Sequence, residues 1–107
     1  MSGSSWYGVR CVFHHHALGV YEERVTLWRA HSLCEAIERA EREAHQYCAD
    51  LDEVEYTAFA EAYRMDGAPQ EGAEVFSLMR DSGLAPGAYV ERFFATGEER
   101  TGTEGSN

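Results

Sequence analysis

The sequence contains no lysine, so all nine of its bases are arginine. Against nineteen acids this leaves a formal charge of -10. A chain this short of positive charge is a poor candidate for a phosphate backbone, which calls for clustered cations. Long apolar runs are also missing: none approaches the roughly 20 residues that cross a bilayer. The opening MSGSSWYG has neither the basic nor the apolar region of a secretory signal, so a cytoplasmic protein is expected. There is no glycine-rich phosphate loop, no C-x-x-C pair and no H-x-x-x-H spacing. Proline is scarce, with two in 107 residues, and cysteine is limited to Cys11, Cys34 and Cys48. An odd number without a signal predicts reduced thiols, read as small buried hydrophobes. The absence of lysine alongside abundant Ala, Glu, Arg and Gly suggests a GC-rich bacterial source. The acidity fits plain solubility or attraction to a basic partner.

What is present is a clear helix. Over Ser32–Leu51 the apolar residues Leu33, Ala36, Ile37, Ala40, Ala44, Tyr47, Cys48 and Leu51 recur at spacings of three and four. Glu35, Glu38, Arg39, Glu41, Arg42 and Glu43 form the solvated back. Ser32 and Glu35 make an S-x-x-E capping box at its start.

The flanking segments alternate as strands do. Trp6–Phe13 places Tyr7, Val9, Cys11 and Phe13 on one side and Trp6, Gly8, Arg10 and Val12 on the other. A turn over His14–Val20 leads into Tyr21–Ala30, whose Val25 and Leu27 are assigned to the helix-covered face. Val54–Met65 reads as a strand or a helix; the strand is favoured, since small alanines suit a position under the long helix. Asp66–Gly72 is a turn, and Glu74–Arg80 is assigned as a fourth strand. Ala88–Phe94 is a short apolar element. The fold expected is therefore α+β: a four-stranded, mainly antiparallel sheet in β-β-α-β-β order with one long amphipathic helix on one face. Residues 1–5 are read as a flexible lead, 6–95 as a single domain and 96–107 as a disordered tail.

In this arrangement the second sheet face would hold Trp28, Phe59, Tyr63, Phe76 and Leu78 beside charged residues. A sheet open to water should alternate more cleanly, and contiguous exposed aromatics mark binding surfaces. Either Leu84–Phe94 folds across that face or a second copy of the chain does. Homodimerisation is the preferred expectation.

Candidate chemistry is sparse. His14, His15 and His16 are adjacent, so all three cannot face one ion; they are expected to be incidental ligands, with no physiological metal site and no cofactor. Glu22, Glu23 and Glu74 are carboxylates on expected strands. Glu23, in phase with Val25 and Leu27, is expected to be buried and paired with Arg10, Arg24 or Arg29. Ser77 with a histidine, or Cys11 with His14, lacks the turn motif and third member of a nucleophilic site.

Trp6-Tyr7 opening one strand, Tyr21-Glu22-Glu23 opening another, Ala36, Ala40 and Glu43 to Tyr47 on the helix, and Glu74-Val75-Phe76-Ser77 resemble the small bacterial domain-of-unknown-function family 4288. The resemblance spans Trp6–Arg80 and leaves out the histidine turn and the tail. It implies no activity, cofactor or substrate, but it adds weight to Trp6, Glu23, Tyr47, Glu74 and Ser77. The expectation for function is a non-enzymatic interaction module that self-associates and regulates or inhibits a protein partner, with neither nucleic acid nor membrane involved. Its binding residues would be Trp6, Glu23, Trp28, Tyr47, Phe59, Tyr63, Glu74, Phe76 and Ser77. The alternative is a small enzyme or ligand binder with a polar pocket between helix and sheet near Glu23, Tyr47 and Glu74.

Overall fold

The computed structural model describes residues 3–101, so residues 102–107 of the expected tail lie outside it. Strand β1 (Ser5–His15) and strand β2 (Val20–Ala30) form a hairpin, followed by helix α1 (Leu33–Ala49), strand β3 (Val54–Arg64) and the short helix α2 (Pro86–Phe93). The sheet has three strands in the order β2-β1-β3, and β1 pairs antiparallel with both neighbours. β2 and β3 therefore run parallel, and α1 crosses between them over one face while β1 fills the gap. This corrects the four-stranded expectation: Glu74–Arg80 joins no ladder.

The core lies between β1 and α1. Tyr7, Val9, Cys11 and Phe13 are buried beneath Ala36, Ala40 and Ala44, and alanines at those positions let the helix lie close to the sheet. The Ser32 half of the expected capping box forms, with Glu35 N donating to Ser32 Oγ (3.1 Å), while Glu35 Oε1 accepts from His31 N (2.7 Å), one residue before the N-cap. Among the cysteines only Cys11 is buried. Cys48 is half-buried and Cys34 is exposed on α1, which corrects the expectation for all three.

The phase of β2 is also the reverse of that expected. Val9 pairs with Thr26, Cys11 with Arg24 and Phe13 with Glu22, so Glu22, Arg24, Thr26 and Trp28 share the helix-covered face. Val25 and Leu27 look the opposite way. A one-residue change of register turns over every side chain of a strand, and here the hairpin register outweighs the pull of two aliphatic residues. Polar groups are tolerated under α1 because β2 is an edge strand and the helix meets them with polar partners.

In β3 the register with β1 shifts between Cys11 and Phe13, where residues 57–59 stand opposite Val12. Ala58 adopts φ 71°, and Thr57 Oγ1 donates to Val12 O at 2.9 Å. The insertion is two residues long, so face parity survives and Tyr56 stays on the helix side with Ala60 and Ala62.

The segment expected as a fourth strand instead crosses the open face as a strap. Gly8 is buried although its missing side chain would point away from the helix; a Cβ there would sit 1.7 Å from Val75 O. The strap exists because β1 presents no side chain at that point.

Candidate functional site

On the helix side, the outer edge of β2 carries a polar network. Tyr47 Oη donates to Glu22 Oε1 at 2.8 Å, and His15 Nε2 lies 2.8 Å from the same oxygen. Arg24 donates two bonds to Glu43, of 3.1 and 3.3 Å, and its guanidinium sits 3.8 Å over the Tyr47 ring. Burial, followed by the Glu22 carboxylate, pushes the Tyr47 phenol up to about 12. Burial opposes the charge on Arg24, but Glu43 outweighs it and the net shift is upward. On the opposite edge, Tyr56 Oη of β3 donates to Glu41 Oε2 at 2.6 Å, and burial together with that carboxylate raises the phenol. Both tyrosines therefore act as neutral hydrogen-bond donors. Burial also raises the Cys11 thiol, which makes it a poor nucleophile.

The open face is built around Arg10. Its guanidinium bonds Glu61 of β3 and lies 3.4 Å from Glu23 of β2, with the Phe76 ring of the strap 5.0 Å away. Glu23 is 64% exposed by side chain, so it is not the buried acid that was expected; the acid on the helix side is its neighbour Glu22. Tyr63 Oη donates to Glu74 Oε1 at 2.7 Å, and this bond raises the phenol. Around this polar centre the apolar residues stay in contact with water: Val25 (42%), Leu27 (37%) and Phe59 (47%) on the sheet, Val75, Leu78 and Met79 (94%) on the strap.

A cleft of about 930 Å³ wraps the hairpin end of β2, bounded by Arg10, Glu23, Tyr47, Phe59, Arg80 and Phe93 among others. Its α2 wall is held by Arg80, whose Nη1 donates to Tyr89 Oη (3.0 Å) and whose guanidinium stands 4.3 Å from the Phe93 ring. A smaller cleft of about 520 Å³ is lined by Trp6, Arg29, Arg64 and Asp66.

The nine residues singled out from sequence thus fall into three places. Glu23 and Tyr63 lie on the open face, Phe59 of the β3 insertion borders the larger cleft with Arg10 and Val12, and Glu74, Phe76 and Ser77 belong to the strap, with Ser77 half-buried. Tyr47 and Trp28 lie on the helix side, where Trp28 Nε1 donates to Thr26 Oγ1 (2.7 Å). Trp6 borders the smaller cleft. Glu23 and Tyr47 border the larger cleft from opposite faces of β2, while Glu74 is bonded to Tyr63 away from it. Sequence reasoning passed over Arg24 and Glu43 as a pair, for which the one available signal was the phase shared by Glu22, Arg24 and Trp28. It also passed over Glu55, which stands directly across from His14 and forms with His14 and His16 a group whose ligating atoms lie within 4.8 Å of one another.

Among the described residues no helix is long and apolar enough to cross a membrane. Compared with family models, curated proteins and solved structures, the chain finds no match.

Proposed function

We propose that this chain is a cytoplasmic, non-enzymatic interaction module that self-associates through its open sheet face and in that form engages a protein partner. The observation that carries the reading is the apolar rim of Val25, Leu27, Phe59, Leu78 and Met79, left in water around Arg10 by a strap that covers only part of the sheet. Apolar residues gathered on one face mark an interaction surface. A second copy suits it because Arg10 is already paired with Glu23 and Glu61 inside the face, so the apolar rim can meet its own copy across a two-fold axis without an outside counter-charge. Membership of the domain-of-unknown-function family 4288 is part of this proposal and adds no catalytic role.

Sedimentation velocity tests it. At about 50 µM, where a micromolar dimer is mostly associated, the expected mass is twice the 12.0 kDa of the chain. Leu27→Glu and Phe59→Glu should each return a monomer. Because each chain carries a charge of -10, added salt should strengthen the association by screening the repulsion. A 12 kDa species at that concentration would remove the proposal.

The larger cleft supports a second reading as a ligand pocket, because it places Arg10, Glu23 and Tyr47 around one open space. Monomeric behaviour combined with saturable binding of a small molecule that shifts the Tyr47 resonances would favour it.

A further inference from the structure

We propose that His14, His16 and Glu55 form a binding site for a divalent transition metal, zinc by its donor set, with one coordination position left open. The site is independent of the self-association reading. Three adjacent histidines argue against convergence only if all three are counted. Strand alternation sends His15 to the helix side, where Nε2 meets Glu22 at 2.8 Å, and His14 to the other; His16, the first residue of the turn after β1, sets its ring against that of His14. Their rings are 4.2 Å apart. The third ligand comes from β3: Glu55 is the register partner of His14, and its Oε1 lies 2.9 Å from His16 Nε2.

The positions are fixed by the fold. His14 is in the central strand, paired on both sides, and its ring stacks on Tyr21 with centroids 4.4 Å apart. His16 N donates to Glu53 O at 2.9 Å, and Glu53 has φ 56°, so the turn into β3 is tied to the end of β1. All three ligating atoms lie within 4.8 Å of one another. A tetrahedral zinc ion with bonds near 2.1 Å needs donors separated by roughly 3.4 Å. The His16–Glu55 pair is already closer than this, and rotation of exposed side chains supplies the remainder without moving backbone. Two imidazoles and a carboxylate suit zinc, with copper and nickel as competitors in the usual affinity order. His16 and Glu55 are exposed, so the fourth position faces water and is available to a water molecule or an incoming ligand. The net charge of -10 favours the approach of a cation.

The test is titration of the tag-free full chain with Zn²⁺ in a non-chelating buffer, read by calorimetry and by nitrogen NMR of the histidine rings. One ion per chain is expected, with the His14 and His16 ring signals moving and that of His15 remaining in place. His14→Ala, His16→Ala and Glu55→Gln should each weaken binding by roughly tenfold or more, a loss that even outer-shell changes reach at metal sites. His15→Ala should leave the affinity unchanged. Absence of saturable binding, or loss on His15→Ala equal to that on His14→Ala, would overturn the proposal, since the second result describes a pliable histidine run. An inert Glu55→Gln variant would overturn it as well. The NMR readout on the unaltered chain decides the matter even where a variant is unstable.

Discussion

Gly8→Ala separates a bare sheet from one crossed by a strap, because the two arrangements predict opposite signs. Gly8 is not among the glycines with positive φ, so alanine fits the strand backbone. On an uncovered strand the substitution would stabilise by about 0.5–1 kcal/mol, through the smaller freedom of the unfolded chain. Here the new Cβ would meet Val75 O at 1.7 Å and Val75 C at 2.9 Å. A main-chain carbonyl cannot rotate aside as a side chain does, so residues around Val75 must lift from the sheet. Overpacking of this kind costs about 1–3 kcal/mol. Displacement also loosens Phe76 from Arg10 and Glu74 from Tyr63. The overpacking term wins, leaving a net loss of about 1–2 kcal/mol and a Tm lower by about 4–8 °C per kcal/mol for a domain of this size. Circular dichroism melting measures the loss, while hydrogen exchange over residues 73–80 and tryptic cleavage after Arg80 report the strap. A variant with an equal or higher Tm and unaltered exchange would refute the crossing of β1 by the strap.

Other expectations follow from single contacts. The folded Tyr47 phenol titrates at about 12 against an ordinary 10, so the stability it contributes is complete below pH 10 and is lost as pH rises from 10 towards 12. Tyr47→Phe should flatten that part of the stability–pH curve and cost about 0.5–1.5 kcal/mol at neutral pH in chemical denaturation. Ser32→Ala removes the oxygen that accepts from Glu35 N and should cost about 0.5–2 kcal/mol, seen as a lower denaturation midpoint with an unchanged slope. With a thiol reagent at mild alkaline pH, Cys34 should react at once and Cys11 only on unfolding, as mass spectrometry of the labelled peptides would show.

Local pattern determined the parts whose period and face are set within one element. The stripe of Ala36, Ala40 and Ala44, the Ser32 cap and the buried row of Tyr7, Val9, Cys11 and Phe13 are all legible in the sequence, because helix and strand geometry alone bring those residues together. The phase of β2 is not, since Val25 and Leu27 on one side compete with Trp28 and Ala30 on the other. Only the hairpin pairing decides which pair meets the helix, and with it whether Glu22 or Glu23 is the acid drawn under α1. Nor does anything local distinguish a fourth strand from a strap over 74–80: the choice depends on the vacancy at Gly8, some 67 residues earlier in the chain. The meeting of Glu55 with His14 has the same origin. A strand's sequence fixes which of its side chains share a side, but the partner strand and its register fix what stands opposite them, and those come from contacts distant in sequence.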